Sequence, residues 1–413
     1  MSKHLLILLL AAVATVVGCN HAGPQADETP RQLPKNSFTR QWATELHNGE
    51  DDPVTAVYLS DQFVFAYRRG GTSAVMDRAT GRLLHIDQPR DGANRLHPPV
   101  VLKDRIVYPT TTFLEVFDFD GRYVQHPTRL SDEQEGPFSQ ALKFVIRSDA
   151  VGTGRMLYLG GDFSGSGRAV EVDLGRPYVP DVWTLMTPGA SVSAAPALLK
   201  DVVYVASENG QVMAVQIDTR APLWPLPNGV FEARGGISGN LAVDSSGLYF
   251  ASKDTKLYCV SATNGHIKWQ YFGGVPLKQG PVLTKDTVYQ HVPGTGVAAL
   301  DKAEQAATAR AGYNRDPRWV STEAVQFLAE DDQYAYLRSS GNAVIAVDKH
   351  NGQTRFRSTR PDLSVFGTNT KDGMLYVATT GGRVMAVKPV LQAGSVGELV
   401  LAPLPQESVA TVH

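Results

Sequence analysis

The chain has 413 residues, 43% of them apolar and 19% charged, with a formal net charge of −2. That balance is globular rather than disordered, and the lack of a basic excess argues against a nucleic-acid binder. The 38 glycines and 25 prolines require frequent turns. Of the two cysteines, Cys19 ends a targeting segment, which leaves Cys259 alone in the folded part and excludes an internal disulfide.

In chain order, the first element is a secretory signal. Lys3 and His4 precede an apolar run from Leu5 to Val17, shorter than the roughly 20 residues of a comfortable membrane span. The run ends in Val16-Val17-Gly18-Cys19, which resembles the lipobox of bacterial lipoproteins. The resemblance implies cleavage after residue 18 and lipidation of Cys19. Asn20, rather than Asp, follows the cysteine, and in enterobacterial lipoproteins that implies sorting to the outer membrane. The competing reading is an ordinary cleaved signal with a chance cysteine. Residues 19–36 contain Pro24, Pro30 and Pro34 with few apolar residues and read as a flexible tether.

From about Pro53 a unit recurs. A short apolar strand leads to a strand of the form apolar-Tyr-apolar. A Gly-containing turn follows, then a strand ending in Ala-Val-Asp or similar, and a second Gly turn that is often followed by an aromatic. The strand-centre aromatics are Phe65, Tyr108, Tyr158, Tyr204, Tyr249, Tyr289, Tyr336 and Tyr376, at spacings of 43, 50, 46, 45, 40, 47 and 40. Several short strands per period of 40–50 residues predict an all-β fold: one β-propeller of about eight four-stranded blades over residues 37–390. The last unit stops near Lys388 without its closing aromatic, while a spare strand, Phe38-Thr-Arg-Gln-Trp42-Ala, precedes the first. That strand is expected to close the last blade and remove an exposed edge. Residues 391–413 form a tail of unassigned role.

The repeated chemistry reads as structural. Asp77, Asp118, Asp173, Asp218, Asp301 and Asp348 share one position before a turn, where Asp accepts backbone hydrogen bonds and Gly supplies positive φ. One acid per blade, spread around a ring, is not a catalytic pair. Trp42, Trp183, Trp224 and Trp269 end their units and are expected to wedge between neighbouring sheets. Cys259, within Leu257-Tyr-Cys-Val260, is expected to be a buried thiol. The glycine-rich stretch 160–167 lacks the Lys-Ser/Thr of a phosphate loop and fits a hairpin. No two histidines lie within four residues of each other, and no Gly-x-Ser-x-Gly elbow occurs. No catalytic residue, metal site or cofactor is expected.

Two stretches exceed the basic unit. His126 to Gly154 includes the acidic Ser131-Asp-Glu-Gln-Glu135 and reads first as a solvated loop. The second carries Arg310, Tyr313, Arg315, Arg318 and Trp319, residue types enriched at interface hot spots, and these five are the candidate partner-binding residues. The competing reading of Trp319 is a displaced docking aromatic.

Units ending in Ala-Val-Asp, then Gly, then Trp resemble the repeats named after pyrroloquinoline-quinone enzymes. Asn264-Gly265-His-Ile-Lys-Trp269 is the best example, and Gly352-Gln-Thr-Arg-Phe356 substitutes Phe. Together with the lipobox, the chain resembles the BamB family of the outer-membrane β-barrel assembly machinery. The resemblance implies an eight-bladed, non-catalytic scaffold. It implies an outer-membrane lipid anchor facing the periplasm, and envelope partners that include the β-barrel assembly subunit. The quinone enzymes fit less well: they use a vicinal cysteine pair, which this chain lacks. A quinone-dependent or other propeller enzyme is the alternative function. So is an exported propeller that binds a different envelope protein or a polysaccharide.

Overall fold

A strand with apolar residues at every position cannot have a solvent face, so both of its faces must be covered. The second strands of two units, Val202–Ala206 and Gly247–Ala251, are of this kind, and in the folded chain each is covered on both sides. The computed structural model describes residues 37–46, 52–89, 96–111, 113–124, 139–141, 144–164, 166–174, 181–187, 189–303, 314–358, 362–391 and 397–401. The sequence-predicted signal, tether, acidic stretch 131–135, Arg310 and Tyr313 lie outside these residues.

The architecture is an eight-bladed β-propeller with a single short 3-10 turn, Pro227–Gly229, among the described residues. Blade 1 spans 54–87, blade 2 spans 100–141, blade 3 spans 145–187, blade 4 spans 197–232, blade 5 spans 242–272, blade 6 spans 282–321 and blade 7 spans 324–358. Within each blade the strands pair antiparallel in sequence order, from the inner strand at the axis to the outer one at the rim. In blade 3 two short pieces, Val145–Ile146 and Val151–Thr153, share the innermost place. The glycine-rich stretch is a hairpin there, between Met156–Phe163 and Ser166–Asp173.

Blade 8 is built from both ends of the chain. Leu363–Phe366, Leu375–Thr379 and Arg383–Val390 supply three strands, and Ser37–Glu45 pairs antiparallel with the last of them as the expected outer strand. The tail contributes as well. Gly397–Leu401 runs parallel to both the outer strand of blade 7, Thr354–Ser358, and the start of Ser37–Glu45, joining blades 7 and 8 into one nine-stranded sheet.

Period-2 alternation divides each strand between two interfaces. In Val202–Ala206, Val203 and Val205 pack toward blade 3, while Tyr204 and Ala206 pack toward blade 5. Eight buried clusters result, one per seam between neighbouring blades. All eight anchor aromatics are buried.

The closing rings dock in one geometry. Trp42, Trp224 and Trp319 each lie on a positive-φ glycine in the turn of the next blade. A Cβ on Gly81, Gly265 or Gly352 would come within 2.4, 2.7 or 2.5 Å of the tryptophan. Each indole N–H donates to the carbonyl three residues before that glycine: Arg78 at 3.0 Å, Ala262 at 3.0 Å and Lys349 at 2.8 Å. Each indole also tilts against its own blade's anchor tyrosine, with centroids 5.9–6.2 Å apart. In blade 1 the place is taken by His85, whose ring lies 2.6 Å from a Cβ built on Gly121 of blade 2. Its Nδ1 is 2.8 Å from the fully buried Asp87, which also accepts a 2.5 Å bond from the Tyr108 hydroxyl. The side chain of Trp183 lies outside the described residues.

The anchor and the docking ring flank one residue of the third strand. That residue is Ala386 between Tyr376 and Trp42, Ala299 between Tyr289 and Trp319, and Cys259 between Tyr249 and Trp269. In these three blades the position takes a small side chain, and Cys259 is the thiol version of it, whereas blade 3 places Glu171 there. Burial pushes its pKa up to about 12, so the nucleophilic thiolate is scarce at neutral pH.

Two outcomes follow from this packing. Trp224→Ala should lower stability by about 3–5 kcal/mol, the usual cost of truncating a buried tryptophan, read as a lower denaturation midpoint. Trp224→Phe should lose less. In a Cys19→Ser background, Cys259 should resist a thiol reagent at pH 7 until denaturant is added, and Cys259→Ala should leave the melting curve nearly unchanged. Rapid labelling of the native protein would contradict the buried placement.

Candidate interaction surfaces

Five of the six repeated acids work inside the fold; in blade 4 the shared position is taken by Gln216, and Asp218 is exposed beyond it. The Asp77 carboxylate accepts from the Thr80 hydroxyl at 2.7 Å and the Thr80 amide at 2.8 Å, which together hold its pKa below the usual carboxylate range. Asp118 accepts from the amides of Asp120 and Arg122, and Asp348 from those of His350 and Asn351. Asp173 and Asp301 pair with Arg155 and Arg318. Among the described residues no group of three or more His, Cys, Asp or Glu side chains is placed to hold a metal ion.

Three of the five candidate partner residues are described, and all three are engaged between blades. Trp319, 7% exposed, is the docking ring of blade 6. Arg315, also 7% exposed, stacks its guanidinium 4.7 Å above the Trp269 ring and donates to the Asp301 carbonyl, while its amide donates to Gln270 O at 2.8 Å. Arg318 pairs with Asp301 and reaches the Lys349 carbonyl of blade 7 at 3.2 Å. The connection between Asp301 and Trp319 thus seals the seams of blade 6 with its last residues. Any partner would meet those three side chains largely from behind.

A polar knot ties the inner ends of several blades. Asp149, at the entry to blade 3, lies 3.1 Å from His97 Nδ1 of blade 2 and accepts from Asn240 Nδ2 of blade 5 at 2.8 Å. The Tyr67 hydroxyl of blade 1 donates to the His97 carbonyl at 2.7 Å. Burial raises the Tyr67 pKa well above its ordinary value, so the phenol stays a donor.

Two of the recesses on the ring bear on binding. One of about 440 Å³, at blades 3 to 5, is lined by Arg147, Asp162, Ser191, Ser193, Glu208 and Ser238. Its charges are already matched: Arg147 to Asp162 at 2.7 Å, Ser191 to Asp162 at 3.2 Å, and Ser193 and Lys253 to Glu208. The other, of about 250 Å³, lies between blades 6 and 7 and includes His291, Gln326 and Arg338. Burial holds His291 below the usual imidazole pKa. Sequence reasoning missed these residues. The signal was present, since both His291 and Arg338 stand two residues after an anchor tyrosine.

The rim carries a few isolated apolar side chains. Ile86 (47% exposed) and Phe272 (63%) lie on the outer strands of blades 1 and 5, and Phe163 (49%) at the hairpin tip of blade 3. Nothing in the local sequence separates these residues from core apolar positions.

Comparison with known proteins agrees with this architecture. The family model described as outer membrane protein assembly factor BamB matches residues 33–271, 146–311 and 227–358, overlapping stretches that cover most of the chain. A curated relative from Shewanella oneidensis, named outer membrane protein assembly factor BamB, is 30% identical over 118 residues, which is 28% of this chain and 27% of that relative. Among solved structures, BamB from Moraxella catarrhalis superposes with a TM-score of 0.61 at 16% identity, over 85% of this chain and 97% of that one. The computationally designed Ika8 protein gives 0.58 at 14% identity, over 84% and 98%. The two structural matches speak to the fold alone. Taken with the matched family model and the eight repeated blades, the chain belongs to the family of the outer membrane protein assembly factor BamB.

Proposed function

We propose that this chain is a non-catalytic, protein-binding scaffold of the bacterial envelope that serves outer-membrane β-barrel protein assembly. It is anchored by lipid on Cys19 and faces the periplasm from the outer membrane. Membership of the BamB family carries the reading. The disposition of the repeated side chains supports it, because the turn carboxylates are engaged within their own blades and the docking rings and buried thiol are packed in the seams. Binding is then left to connections and rim.

The anchor is chemically reasonable. A cysteine bearing several acyl chains binds a membrane stably, whereas one chain gives only marginal attachment. Of the blade 6 connection, Arg310 and Tyr313 are the residues to test as partner contacts. Arg315, Arg318 and Trp319 are unsuitable, because their loss loosens the seams.

The deciding experiment is co-purification from native membranes in mild detergent, with mass spectrometry of the recovered proteins. The β-barrel assembly subunit should appear in near-equal amount. Cys19→Ser should release the protein from the membrane fraction. Recovery of a different envelope protein, or of a bound chromophore, in place of that subunit would overturn the assembly role. Arg310→Ala and Tyr313→Ala should weaken recovery without changing the melting temperature.

A further inference from the structure

The repeat makes one departure that packing does not require. The position two residues after the anchor aromatic is Thr110, Gly160, Ala206, Ala251 and Ala378 in five blades. These are small residues in tight seams, with Ala206, Ala251 and Ala378 at most 1% exposed. Blade 1 has Tyr67, whose hydroxyl is spent on the His97 carbonyl. Blades 6 and 7, which are neighbours, have His291 and Arg338. The seam between these two blades holds the 250 Å³ cavity.

The walls have one clear chemistry. The stacked rings of Tyr289 and Phe327, 4.3 Å between centroids, line one part. Arg338 is fixed by two neutral amide oxygens: Nε donates to Gln326 Oε1 and Nη1 to Asn342 Oδ1, each at 2.9 Å. Gln326 is in turn held by Thr368 at 3.3 Å. Nη2 makes no hydrogen bond to any described residue, no carboxylate lines the cavity, and Arg338 forms no ion pair among the described residues. Nearby acids are taken: Glu330 by Tyr289 and Lys349, Glu323 by Arg357. The His291 ring makes no hydrogen bond to a described residue either.

A half-buried guanidinium held as a planar fork by neutral oxygens, with no counter-charge beside it, suits an oxygen anion. We propose that the cavity between blades 6 and 7 is a binding site for a single carboxylate group, received by Arg338 Nη2 with His291 beside it. One fixed positive charge calls for a monoanion. Burial keeps His291 largely neutral at pH 7, which disfavours a dianionic phosphate. The volume, equal to roughly eight waters at about 30 Å³ each, takes a carboxylate with a short stem and no large ligand.

The test uses the folded propeller with its His291 ring observed by NMR at constant ionic strength. Acetate, raised into the tens of millimolar, should shift the ring signal saturably and move its titration to higher pH, because a bound anion favours imidazolium. Inorganic phosphate should do less. Arg338→Gln should abolish the response, and His291→Ala should weaken binding followed by calorimetry. Arg338→Ala is the second variant, since alanine already occupies this position in three blades. A blocked tripeptide with a free C-terminal carboxylate, compared with its amide, distinguishes a protein chain end from a free small acid as the source. No saturable acetate effect on the native protein, or an equal effect on Arg338→Gln, would overturn the proposal. Loss of the assembly partner in the co-purification would leave it untouched.

Discussion

Four seams are closed by a side-chain ring laid on the backbone of a glycine that belongs to the next blade: Trp42 on Gly81, His85 on Gly121, Trp224 on Gly265 and Trp319 on Gly352. The glycine is needed twice over: its positive φ makes the turn, and the missing Cβ leaves the space the ring fills. The indole adds a directed bond to the carbonyl three residues upstream, so the contact fixes both distance and rotation between blades. Burial of an aromatic surface supplies the energy, and the two-sided apolar strands behind it supply the rest of the seam. The docking points forward, from one blade's rim to the next blade's turn, and at the eighth seam the ring is carried by the amino-terminal strand, whose pairing with Arg383–Val390 brings the two ends of the chain together. Trp42 on Gly81 makes that seam. Arg78 reinforces it, donating to the Tyr376 hydroxyl and the Asn369 amide oxygen at 3.0 Å each.

Polar groups are arranged to respect that scheme. The turn carboxylates accept local amides, the buried Asp87 is shared by His85 and Tyr108, and Asp149 gathers His97 and Asn240 at the inner ends. These groups act as fasteners where backbone and side-chain donors would otherwise be buried without partners. The blade 6–7 cavity is the exception, since its fixed cation faces open space rather than an acid.

The fold was legible in the sequence because a propeller repeats its constraints. Eight anchor aromatics recur at near-constant spacing, and each is buried as its strand pattern required. Trp42 could be assigned to the last blade because that unit lacked a ring and the chain had one to spare. What failed to show did so for physical reasons. His85 is an imidazole doing an indole's work, so a search for tryptophan passes over it. Trp319 lies beyond a long connection, outside the Gly-x-x-x-Trp spacing, so the sequence left a partner contact and a displaced docking ring both open, and the fold makes it the ring. Arg315 resembled an interface arginine because sequence cannot show that its guanidinium lies over Trp269. The pairing of Gly397–Leu401 depends on two strand edges that meet only when the ring is closed.

That last pairing places both ends of the folded chain side by side: Phe38 is opposite Leu401, and Ser37 opposite Val400. Ends held this close can in principle be joined by a short linker, with a new opening cut in an exposed connection elsewhere, as circular permutation requires. The ring's starting point is a matter of where the gene begins, and the propeller could be re-threaded with its amino terminus moved to another rim.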